Sequence, residues 1–150
     1  MKKNTIIKSL RINHIVTLLV ALAVVLSFEC GLLQKGVLLN SVSATAAYVI
    51  QVAVVMLTVI LIPLAIKGFT SALEKAKGLS EDAFLVVFCK KSMQRTLLLF
   101  FVMVLSAFAY YALAYDGAMY CGLLGLGFMI YGFPTRMTLE HYLNGEENNA

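Results

Sequence analysis

Four continuous apolar runs dominate the chain, residues 15–33, 45–66, 96–115 and 117–134, and its charged residues fall almost entirely between them. A helix needs about 20 such residues to cross the roughly 30 Å hydrocarbon core of a bilayer. At about 1.5 Å per residue each run reaches roughly 27 to 33 Å. Transmembrane β-strands are shorter and alternate in polarity, whereas these runs are apolar throughout, so the pattern predicts helices. The expected fold is all-α: a single polytopic membrane domain over residues 1–150, built as a four-transmembrane-helix bundle. Composition agrees. The chain is 61% hydrophobic and 13% charged, against about half and a quarter in soluble domains, so in water it has too few polar groups to cover its own apolar surface.

Orientation follows from the basic residues. Lys2, Lys3, Lys8 and Arg11 precede the first run, Lys67, Lys75, Lys77, Lys90, Lys91 and Arg95 lie between the second and third, and Arg136 follows the fourth. Of 12 Lys and Arg, only Lys35 falls on the opposite side. Short loops rich in Lys and Arg stay in the cytoplasm. The expectation is therefore a multi-pass protein of the inner (plasma) membrane, with N-terminus, C-terminus and central segment cytoplasmic. The net charge of +4 then reflects topology rather than a nucleic-acid-binding face. Tyr48, Tyr115 and Tyr120 would mark the outer interface, and Phe69, Tyr131 and Phe133 the inner one. The basic N-terminus and the apolar run behind it imitate a secretory signal. No A-x-A-like site follows directly behind it, so the first run reads as an uncleaved signal anchor.

The segment between the second and third runs keeps helical composition on both sides of Gly78. Glycine suits the C′ position of a helix, Ser80 offers an N-cap, and Glu81 and Asp82 follow in a first turn where the helix dipole favours anions. These signals predict a helical cytoplasmic hairpin between helices 2 and 3. Pro63 can kink the second helix. After Pro134, the apolar residues Met137, Leu139, Tyr142 and Leu143 suffice for a short interfacial helix.

Glu29 is the only acidic residue inside a run, and an ionisable group at membrane depth is a functional-site hypothesis by default. With the first helix ending near Gln34, Glu29 lies about 7 Å below its outer end. Gln51 enters from the same side to a similar depth. The two can meet across helices, and Glu29 and Gln51 form the candidate polar intramembrane site. Gln51 also shares a stripe with Ala44, Thr58 and Ala65, seven residues apart, suited to close packing and interhelical hydrogen bonds. In the fourth run, Ala118, Gly122, Gly125 and Gly132 share one helical face. They predict a helix-packing face, either within the bundle or between copies of the chain. The segment CGLLGLG is no phosphate loop, because no strand precedes it and no lysine follows.

Catalytic chemistry is not visible. No nucleophile stands with a base, and His14 and His141 lack ligand spacing. Cys30, Cys89 and Cys121 are too few and too scattered for a disulfide framework or a metal site. The expectation is no enzyme, no cofactor and no metal. Cys30 and Cys121 fall at matching depth. They can bridge if the first and fourth helices are neighbours with both side chains inward and Cα atoms within about 7 Å; otherwise both act as small apolar groups.

The four runs, the basic central hairpin and the closing stretch DGAMYCGLLGLGFMIYGFPTRMTLE resemble uncharacterised small bacterial four-helix integral membrane proteins. That resemblance is one of layout and implies no activity. Small multidrug transporters are similar in having four helices with a membrane Glu in the first, but here that Glu is near the outer end. The expected function is a non-enzymatic scaffold, accessory or regulatory membrane component. Its partners would be the lipid bilayer and either another protein or further copies of the chain, with no nucleic acid. The alternative is a small oligomeric transporter or channel using Glu29 and Gln51.

Overall fold

The computed structural model describes residues 2–32, 34–36, 38 and 41–144. Among them are five helices and no strand: α1 (Lys2–Glu29), α2 (Ala44–Ala76), α3 (Glu81–Leu113), α4 (Asp116–Tyr131) and α5 (Arg136–Asn144). Three of these, α1 to α3, are each long and apolar enough to cross a membrane. The first helix stops at Glu29, where Cys30 N donates to Leu26 O at 2.8 Å and Gly31 turns the chain with φ +74. It therefore ends short of residue 33, which lies outside the described residues. Glu29 is its last helical residue and not a group well inside it.

Helices α2 and α3 contain 33 residues each, about 50 Å of rise, well beyond the roughly 30 Å of a hydrocarbon core. Their start and stop signals are local. Ser43 caps α2 by accepting from Ala46 N at 3.3 Å. At the far end Lys77 N donates to Leu73 O at 3.1 Å, and Gly78 then takes φ +88, a left-handed conformation that favours glycine. Ser80 begins α3 with extended backbone; its carbonyl accepts from Phe84 N at 2.9 Å, while its hydroxyl makes no cap bond. The helix–turn–helix expected around Gly78 is thus present. Lys3 Nζ meets Glu81 Oε1 at 2.6 Å across to α1, an exposed pair of small energetic weight. Pro63 sits inside α2, which continues through it.

Helix α3 is the axis of the molecule and packs against α1, α2 and α4, with α2 also touching α4. On α2 the buried residues Val54, Thr58, Ile62, Ala65, Phe69, Leu73 and Ala76 recur every three or four positions, a stripe that faces α3. Thr58 spends its hydroxyl on Val54 O at 2.8 Å, within its own helix, so that stripe packs without the interhelical bond expected of it. Three apolar clusters stack along α3. At the hairpin end Ile7 and Leu10 of α1 join Phe69, Leu73, Phe84, Leu85 and Phe88, closed over by Leu139 of α5. In the middle Ile62, Ala65, Leu99, Val102 and Met129 meet, and at the opposite end Val54, Ala109 and Ala118. Phe69, expected as an interfacial anchor, belongs to the first cluster and is buried.

Outside the two clusters away from the hairpin, large apolar side chains face outward on every helix, among them Leu19, Val59, Ile60, Leu97, Leu123 and Ile130. Exposed apolar surface is unfavourable in water by roughly 25 cal/mol per Å², and lipid removes that penalty. The fourth run differs from a straight span. Helix α4 has 16 residues, about 24 Å, and α5 leaves it at 71°. Pro134 lacks an N–H and disfavours helical backbone in the residue before it, which ends the helix there.

Candidate functional site

Two polar constellations interrupt the apolar packing, one at each end of the exposed apolar zone. The first is built on Glu29. Its Oε1 accepts from Tyr111 Oη at 2.6 Å and its Oε2 from Lys35 Nζ at 2.9 Å. Tyr111 is held by Phe28, whose ring stacks on it at 4.6 Å with an interplanar angle of 7°. The chain after α1 is pinned to the end of α3, Gly36 N donating to Tyr111 O at 2.7 Å and Leu38 N to Ala112 O at 3.2 Å. Gln51 is not part of this group. It is partly buried on α2 and makes no side-chain hydrogen bond among the described residues, because α1 packs chiefly on α3 and not beside α2. Tyr111 takes the place expected for Gln51; a phenol near the end of α3, it is the partner that hydropathy reading passes over.

Between α1 and α4, with α3 as the floor, lies a cleft of about 460 Å³. Leu18, Ala21, Leu22 and Val25 line one wall, Met119, Gly122, Leu123 and Leu126 the other, and Glu29 stands at its rim. The floor carries Ser106, whose hydroxyl is buried and has no hydrogen-bond partner. The small residues of α4 set how closely α3 and α4 approach. Ala118 is fully buried, and a Cβ at Gly122 would stand 3.5 Å from Ser106 Cβ. A Cβ at Gly125 would stand 3.1 Å from Met103 Cγ, and one at Gly132 3.2 Å from Arg95 Cζ. Ala118, Gly122 and Gly125 therefore lie against the chain's own helices, whereas Gly132 falls just past the end of α4, where its Cβ would also stand 3.1 Å from Phe128 O.

The second constellation sits at the α4–α5 break, where carbonyls that no longer have helical partners need donors. His14 Nε2 donates to Met129 O at 2.9 Å, Arg11 Nε to Pro134 O at 3.1 Å, and Arg95 Nη2 to Gly132 O. Cations are also favoured there by the negative end of a helix dipole. Arg95 lies over the Phe69 ring at 4.1 Å, and Arg11 over Phe133 at 5.9 Å. His14 Nδ1 is 3.1 Å from Thr96 Oγ1, which also donates to Ser92 O at 3.0 Å. Because Met129 O can only accept, the proton of neutral His14 is on Nε2, and the single Thr96 hydroxyl proton is shared between two acceptors. From sequence, Arg11 and Arg95 are explained by topology and His14 is weighed only as a metal ligand. A Gly-x-Pro helix ending, GFP at 132–134, is the signal that calls for donors at that depth.

Cys30 is exposed, Cys89 partly buried and Cys121 buried, and all three are free thiols; no bridge joins Cys30 to Cys121. No group of three or more His, Cys, Asp or Glu is placed to hold a metal among the described residues. Both polar constellations are internally satisfied among the described residues, Arg95 Nε excepted, and the cleft, with the unpartnered Ser106 hydroxyl at its floor, is an apolar recess with charge only at its rim. The fold and site thus define an all-α helical bundle with apolar helices suited to a membrane. No protein family, curated protein or solved structure matches the chain.

Proposed function

We propose that the chain is a multi-pass protein of the inner (plasma) membrane, crossing four times with α4 as the fourth crossing. Both termini and the α2–α3 hairpin lie in the cytoplasm, and it serves as a non-enzymatic scaffold, accessory or regulatory component. The observation that carries this reading is the head at the hairpin end. There α2 and α3 outrun the apolar zone and close a separate core with Ile7, Leu10 and Leu139. Its outer surface carries the exposed Lys67, Lys75, Lys77 and Lys90. A packed core beneath a charged surface is a rigid platform for another protein, whereas the crossings contain few polar groups with which to move a solute.

Purification of the tagged chain in mild detergent tests this. A stoichiometric protein partner should be retained by the native chain and lost on Lys75→Glu with Lys90→Glu, the variant itself staying monodisperse. A chain that has no such partner and moves solute across proteoliposomes would sink the proposal. The cleft beside Glu29 favours transport as the second reading. Under it Glu29→Gln would abolish flux, but Gln51 stands outside that cleft.

A further inference from the structure

The α1–α3–α4 cleft combines three features that point to one kind of occupant. It is elongated along α1 from Leu18 to Glu29, a rise of about 16 Å, and narrow enough to total only about 460 Å³. Its walls are hydrocarbon. Its rim carries opposite charges 2.9 Å apart, Glu29 and Lys35, with side chains 50% and 53% exposed, so both remain reachable. On the floor, Ser106 is 1% exposed and its hydroxyl has no hydrogen-bond partner among the described residues. Ser106 precedes Tyr111 by five positions on α3, so it lies about 7.5 Å deeper than the phenol that holds Glu29.

We infer that this cleft binds one acyl chain of a phospholipid bearing a primary ammonium and a phosphate, its headgroup resting on the Glu29–Lys35 pair. The inference rests on the membrane reading above. Carboxylate and ammonium at the rim match the ammonium and phosphate of such a headgroup in charge, and a primary ammonium donates the hydrogen bonds that a quaternary one lacks. Tyr111 and the backbone bonds from Gly36 and Leu38 fix the two rim residues in place before a lipid arrives. The apolar walls receive the chain.

Native mass spectrometry of the detergent-purified full chain, offered equal phosphatidylethanolamine, phosphatidylcholine and phosphatidylglycerol, decides the matter. One phosphatidylethanolamine per chain should be retained, preferred by about tenfold, the effect of losing one hydrogen bond to a charged group. Glu29→Gln with Lys35→Gln should keep one lipid and lose the preference. Ala107→Phe, which fills the cleft from the α3 floor, should lose the lipid; Leu126→Phe fills it from the α4 wall and replaces the first variant if that one does not fold. Equal retention of the three lipids by the native chain, full retention by a filled variant, or a protein helix occupying the cleft would each overturn the inference. Resistance to alkaline carbonate extraction is read alongside. A chain released by carbonate overturns the membrane reading and this inference together, while a resistant chain without lipid preference overturns this inference alone.

Discussion

At Gly125 the absence of a side chain has a measurable consequence, because even a Cβ there would stand 3.1 Å from Met103 Cγ and 3.4 Å from Val102 Cγ1. Gly127, two positions on, has nothing within 4 Å of where its Cβ would be. Gly125→Leu should therefore push α4 from α3 and lower thermal stability in detergent by about 1–3 kcal/mol or more, the range for overpacking. Gly127→Leu should leave it nearly unchanged, and equal effects of the two would remove the close-approach argument. Arg95 makes a second residue-scale case. Arg95→Met keeps apolar contact with Phe69 but leaves Gly132 O without its donor. A loss of about 1–3 kcal/mol follows from stranding a buried acceptor, measurable as a shift in the detergent unfolding midpoint.

Among the elements, α5 depends most on tertiary contact. Nine residues are too few to hold helical form alone, since isolated helices shorter than about 12–15 residues are marginal. Leu139 is 1% exposed within the hairpin-end core, and Tyr142 packs edge-on to Phe69 with ring centroids 6.3 Å apart. Leu139→Ala should cost about 2–5 kcal/mol of packing locally and release α5. Limited proteolysis should then cut after Arg136 much faster than in the native chain, and unchanged cleavage would show that α5 is held by other contacts. The long hairpin was legible because its signals are local, Gly78 closing one helix and Ser80 with Glu81 and Asp82 opening the next. The stop at Pro134 and the short helix after it were legible too; that α4 ends already at Tyr131 was not, because hydropathy continues smoothly through Gly132, Phe133 and Pro134.

For the molecule as a whole, the proposed orientation rests on the basic residues. With the three native cysteines replaced by alanine, Ser80→Cys should react with an impermeant thiol reagent only from the cytoplasm, and Ser41→Cys only from outside. The opposite pattern would invert the topology, and labelling of both from one side would remove α2 as a crossing. Either result would be decisive because the two sites stand at opposite ends of α2.

What this sequence determined by itself are the properties that act within a helix or along its length. Apolar length makes helices suited to a bilayer, Lys and Arg placement assigns a side in the proposed topology, and turn and cap residues such as Gly78 and Ser80 mark where a helix ends and the next begins. What only the tertiary structure decided is which helices are neighbours. Hydropathy carries no azimuth between helices, so Glu29 and Gln51 look equally placed to meet; α3 stands at the centre, and Glu29 turns to Tyr111 and Lys35 instead. For the same reason Arg11, His14 and Arg95, scattered along the chain, converge on the carbonyls of one broken helix. Buried carbonyls need donors wherever the chain ends a helix, and which side chains supply them depends on packing in three dimensions.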